Sequence, residues 1–111
     1  MNNKGRIYFN HSPKPTIGVE VELFTVSRDT YDLCPGAPFI LDTFPDSQHV
    51  KEELLECIVE VNTDICNDVA DVRSDLTSRI AEVKQVADKK NMALISMGTH
   101  PFALWKDQTI T

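Results

Sequence analysis

The 111-residue sequence predicts one domain that mixes strands with a helix, of the α+β or α/β class. Three observations predict it. "TIGVEVELFTV", residues 16–26, is β-branched and alternates along much of its length. "CIVEVNT", residues 57–63, alternates in the same way. Between it and a last apolar run, Val69, Val72, Leu76, Ile80, Val83 and Ala87 recur at steps of three and four, the mark of an amphipathic helix.

Residues 1–15 are polar, carry Pro13 and Pro15, and read as a flexible lead-in to a domain over 16–111. The first strand is expected at about 16–26. "SRDTYDLCPGAP" follows as a loop, with Pro35-Gly36 as its turn signal. "FILDTF" is too short to separate strand from helix. Over 50–63, the first half is compatible with helix and the second half with a strand at about 55–63. The long helix is expected at about 68–90. Asn67 or Asp68 caps its start, Asp68 and Asp71 suit the positive end of its dipole, and Asn91 provides a left-handed stop. Its stripe is expected to pack on a sheet. "MALISM" begins a last strand at about 92–97, broken by Gly98 and Pro101. The chain holds no internal repeat or low-complexity tract.

Composition narrows the functions. Apolar residues make up 41% and charged residues 25%, ordinary for a soluble globular protein. The formal net charge of −6 argues against nucleic-acid binding, which wants a basic face. No apolar run approaches the roughly 20 residues of a membrane span. "MNNKGRIYFNHSPKP" has no apolar core of signal-peptide length, so the expected location is the cytoplasm. Cys34, Cys57 and Cys66 match no zinc or CxxC spacing and are expected to be reduced, buried thiols. His11 and His49 are expected at the surface.

The acids on the strands pose the chemical question. Side chains alternate along a strand, so Glu20 and Glu22 share a face, about 7 Å apart at about 3.4 Å per residue. Ile17, Val19, Val21 and Leu23 then face a core. Glu56 and Glu60 share a face of the second strand in the same way. Two arrangements make such crowding tolerable. Water solvates an open sheet face, or a hard divalent cation such as Mg²⁺ sits among the carboxylates. The second placement, on another strand, weakens the solvated-face explanation. There is no GxxxxGK[ST], GxGxxG, HExxH or GxSxG motif, so any phosphate chemistry must run through metal and carboxylates. His100, in "GTHP" at a strand end, is a candidate binding residue.

"TIGVEVELFTV", "ECIVEVNTDIC" and "GTHPFALW", in this order, resemble the carboxylate–amine ligase family, also called glutamate–cysteine ligase type 2. The matching motifs are Gly18-Val19-Glu20-Val21-Glu22, then Val59 to Thr63, then Gly98 to Phe102 with Trp105. The resemblance covers residues 16–111. It implies an α+β fold with an antiparallel catalytic sheet, similar to glutamine synthetase, whose concave face binds Mg²⁺. It implies metal ligands at Glu20, Glu22 and Glu60, with Glu53 at a further acidic position. The role of Glu56 stays open. His100 is implied to lie near substrate, and no catalytic proton-transfer residue is assigned.

The reaction so implied is ATP-dependent amide formation, with a glutamate carboxylate, and cysteine or another amine, as small-molecule substrates. Glutathione biosynthesis is the implied setting. Family members are several times longer than this chain, so the resemblance implies the N-terminal part of a ligase, with an incomplete active site when alone. A truncated sheet leaves an exposed edge, and a homo-oligomer is left open. A non-catalytic acidic module that binds a cation is the alternative.

Overall fold

The computed structural model describes residue 5 and residues 7–111. Of the expected lead-in, residues 1–4 and 6 lie outside the described residues, and 7–15 form no helix or strand. In chain order the elements are β1 (Glu20–Ser27), α1 (Ala37–Thr43), β2 (Val50–Glu52), β3 (Ile58–Asn62), α2 (Val69–Asp88) and β4 (Met92–Ile95). A 3-10 turn at Trp105–Asp107 follows. The strands form one sheet in the order β2-β3-β1-β4, and every pairing is antiparallel. The fold is therefore α+β.

Both helices cover one face of the sheet. Leu23, Val50, Val59, Val61 and Met92 point there and pack with Ile40 of α1 and Val83, Val86 and Ala87 of α2. Alternation sends Glu20, Glu22 and Glu60 to the other face.

Several boundaries differ from expectation. β1 starts at Glu20 rather than 16. Val19 N–H donates to the Thr63 hydroxyl at 3.0 Å instead of a ladder carbonyl, and Ile17 forms an isolated bridge with Cys66. Ile17 is consequently outside the core. Residues 50–52 are a strand, not helix: Val50, Lys51 and Glu52 pair with Val61, Glu60 and Val59. β3 starts at Ile58 rather than 55, because Ile58 N–H turns back onto the Leu55 carbonyl at 3.0 Å. That turn removes Glu56 from the strand and ends its shared alternation with Glu60. "FILDTF" resolves as helix, within α1.

The long helix forms as its signals require. The Asp68 carboxylate accepts from Asp71 N–H at 2.8 Å, and Asn91 takes the left-handed conformation at φ 54° just past the end. Its stripe is buried only in the C-terminal half, and Val69 remains 68% exposed. Length explains this: twenty helical residues span about 30 Å, whereas a five-residue strand spans about 17 Å. The helix overhangs the sheet.

All three thiols are free, with Cys57 and Cys66 buried and Cys34 partly so. Burial pushes the Cys34 and Cys57 thiols above their ordinary range, which suits inert packing groups.

Candidate functional site

The helix-free face of the sheet gathers the acids. Glu22 on β1 lies directly opposite Glu60 on β3, and Glu20 lies opposite Asn62. Glu53 enters from the segment after β2. Side-chain oxygens of Glu22, Glu53 and Glu60 come within 4.8 Å of one another. Glu20 is exposed on the same face but stands outside that group. Glu56 stands outside it too.

Asn62 orients one member of the cluster and Lys51 borders it, and neither stands out by sequence type. Asn62 is buried and its Nδ2 donates to Glu60 Oε1 at 2.8 Å. Lys51 lies opposite Glu60 on the other side, in β2. The C-terminal segment fastens the Glu53 loop. Thr111 Oγ1 donates to the Glu53 carbonyl at 2.6 Å, Glu56 N–H donates to the Thr109 carbonyl at 2.9 Å, and Leu55 bridges Ile110.

Electrostatics mark Glu60. The Asn62 amide is the largest single influence and favours its ionised form. Burial, a hydrogen bond shared with Glu53, and the charges of Glu20 and Glu53 outweigh it together. They hold the Glu60 carboxyl above the ordinary carboxylate range. Crowded carboxylates of this kind suit a hard cation: each offers oxygen donors, and a divalent charge would offset their repulsion. The donor set therefore fits Mg²⁺.

His100 is buried, and both of its ring nitrogens are engaged. Nε2 lies 2.7 Å from the Tyr31 carbonyl and donates to it, while Nδ1 accepts from the N–H groups of Phe102 and Ala103 at 3.3 and 3.0 Å. The ring also meets Phe102 edge-on. In this arrangement His100 fixes the "GTHPF" loop against Tyr31, which itself holds a left-handed φ of 60°. It does not present a free nitrogen. His49, expected at the surface, is half-buried beside Asp64 at 3.3 Å.

The model of the family described as glutamate-cysteine ligase family 2 matches residues 16–111. The chain belongs to glutamate-cysteine ligase family 2. Among curated relatives, a Gloeobacter violaceus protein named "Putative glutamate--cysteine ligase 2" is 38% identical over 110 residues, 95% of this chain and 29% of that protein. A Mycobacterium sp. (strain KMS) protein, "Putative glutamate--cysteine ligase 2-1", is 39% identical over 106 residues, 96% of this chain and 28% of its own. A Mycobacterium tuberculosis (strain H37Ra) protein named like the first is 37% identical over 106 residues, 96% of this chain and 28% of its own. This family-2 chain thus spans less than a third of the length of the curated relatives it matches. Among its described residues, no helix is long and apolar enough to cross a membrane.

Proposed function

We propose that this chain carries the metal-binding part of an ATP-dependent carboxylate–amine ligase of the glutamate–cysteine type, built on a glutamine-synthetase-like sheet. One observation carries the reading: three carboxylates from β1, β3 and the segment after β2 converge, in a glutamate-cysteine ligase family 2 chain. Glu22, Glu53 and Glu60 hold Mg²⁺, with Glu20 flanking them as a further oxygen donor. When bound, the ion screens the ATP phosphates and offsets charge that builds during phosphoryl transfer.

The chain's own residues supply positioning. The β1–β3 ladder fixes Glu22 and Glu60 in register, and Asn62 orients the Glu60 carboxylate. Glu53 joins them from the segment after β2, which residues 109–111 fasten. His100 acts through the loop it fastens, which borders the substrate. The reaction is the one a ligase of this type runs. The γ-phosphoryl group passes from ATP to a glutamate carboxylate, giving ADP and an acyl phosphate. An amine, that of cysteine or another small molecule, then attacks the acyl carbon, forms the amide and releases phosphate. The cytoplasm is the proposed setting, and glutathione biosynthesis the proposed role.

The test grafts residues 16–111 onto the part of the Gloeobacter violaceus relative that lies outside the match. Release of ADP is then measured with glutamate, cysteine and Mg²⁺. The graft is expected to release ADP only when all three are present. Its Glu22→Gln and Glu60→Gln forms are each expected to lose at least the roughly 10–100-fold that even an outer-shell change costs a metal site. Full activity in both substituted forms would sink the reading.

A further inference from the structure

The overhanging half of α2 carries a face that the other described elements leave open. Val69, Ala70, Arg73, Ser74, Thr77 and Ser78 line a groove of about 590 Å³ there. An adjoining groove of about 340 Å³ shares Ser74 and Ser78 and adds Ile65, Asp64, Asp71 and Asp75. Ile65 is 80% exposed and Val69 68%, so water meets both apolar side chains. Four acids, Asp64, Asp68, Asp71 and Asp75, stand in this region against Arg73 and Arg79. Asp64 and Asp75 share Arg79, whereas Asp68 and Asp71 form no ion pair among the described residues. The surface is apolar at Ile65 and Val69 and acidic around them.

Residues 1–15 have the complementary character. They hold Lys4, Arg6 and Lys14 and no acid, whereas all 17 acids lie within 16–111. Ile7 and Phe9 fall on one side of an extended backbone, and they are 77% and 87% exposed. The arm is rooted beside the grooves: Ile17 N–H donates to the Cys66 carbonyl at 2.9 Å, and Cys66 N–H to the Ile17 carbonyl at 2.8 Å. Pro13 and Pro15 fix φ near that root and stiffen it. The single chain thus holds Ile7 and Phe9 in water rather than on its own helix.

We propose that the open face of α2 receives the N-terminal arm of a second copy, with Ile7 and Phe9 as the anchors. They cover Ile65 and Val69, and the positive charge of the arm offsets the surrounding acids. Because each arm starts beside a groove, reciprocal exchange about a two-fold axis makes two identical contacts and closes the dimer. An acidic segment would be repelled by this face, and a purely basic one would leave Ile65 and Val69 in water.

Sedimentation velocity of the full chain at rising concentration tests it. Every chain carries Trp105→Lys, so that the apolar side of the "GTHPF" loop adds no association of its own. The parent is expected to dimerise, and the dimer to weaken several-fold at about 1 M salt, where exposed charges are screened. Ile7→Ser/Phe9→Ser removes the anchors, and Val69→Lys spoils the groove. Each is expected to weaken dimerisation about tenfold or more. All three positions are exposed, so both variants should melt like the parent. An equal mixture of the two variants pairs one intact arm with one intact groove. It is expected to regain association that neither variant shows alone. The proposal is overturned if the parent stays monomeric, if either variant dimerises like the parent, or if the mixture sediments like its separate components. The last result is what docking of each arm on its own helix would give.

Discussion

Glu60 faces Glu22 across the β1–β3 ladder and accepts a hydrogen bond from the Asn62 amide. Its folded-state carboxyl titrates above the ordinary range, so between the ordinary and the raised values the folded chain binds more protons than the unfolded one. Stability of the metal-free chain should then fall as pH rises through that window. Glu60→Gln removes the proton and the repulsion while still offering Asn62 an acceptor. It is expected to raise the metal-free melting midpoint by a few degrees at neutral pH and to flatten the decline. The same variant should weaken Mg²⁺ binding by about tenfold or more, since even outer partners of a metal are worth that much. Scanning calorimetry across pH and isothermal Mg²⁺ titration read the two opposite effects. A destabilised Glu60→Gln chain would contradict the crowding explanation. His100 makes a different prediction. His100→Ala leaves two N–H groups and the Tyr31 carbonyl without their partner, so urea unfolding should show a loss of about 1–3 kcal/mol.

Among the elements, the join between β1 and α1 is held through the Thr25 hydroxyl. Thr25 Oγ1 donates to the Cys34 carbonyl at 2.6 Å, and Gly36 N–H donates to Thr25 Oγ1 at 3.2 Å. A Cβ at Gly36 would lie 2.5 Å from Met92 Sδ and 2.9 Å from Thr25 Cβ. The flexible Met92 side chain can move aside, whereas Thr25 Cβ is held by its strand. Gly36→Ala is therefore expected to destabilise the chain by about 1–3 kcal/mol, the usual range for overpacking, as read from urea melts. The long helix shows how far local signals reach. Asp68, Asp71 and Asn91 set its ends, and its apolar stripe is plain in the sequence. How much of the stripe is buried depends on the short strands beneath it, and no helical periodicity encodes that. β2 was obscured for a related reason. Three residues are too few to display a period, and they become a strand only because β3 offers its open edge.

For the whole molecule, the described residues leave large apolar side chains in water on the side of the "GTHPF" loop. Phe102 is 56% exposed, Leu104 53% and Trp105 86%. β2 and β4 also stand at the sheet margins. Open margins and apolar patches favour contact between copies. Sedimentation velocity at rising concentration is expected to show self-association of the chain, and Trp105→Lys is expected to reduce it. A monomer that sediments identically at all concentrations would refute this.

Local patterns in the chain keep Glu20, Glu22 and Glu60 off the core, put one long helix after the second acidic strand, and mark where that helix begins and ends. These follow from backbone geometry over a few residues: a period of two along a strand, 3.6 along a helix, and the caps that serve orphan N–H groups. Which acids meet depends instead on contacts between segments distant in the chain. Register across β1, β3 and β2 comes from turns and from packing on α1 and α2, so it is written nowhere locally. That register puts Glu22 against Glu60. The strap of residues 109–111 holds the loop that brings Glu53 to them. The same register sets Glu20 against Asn62, whose amide serves Glu60, while the segment after β4 brings the His100 ring to the Tyr31 carbonyl.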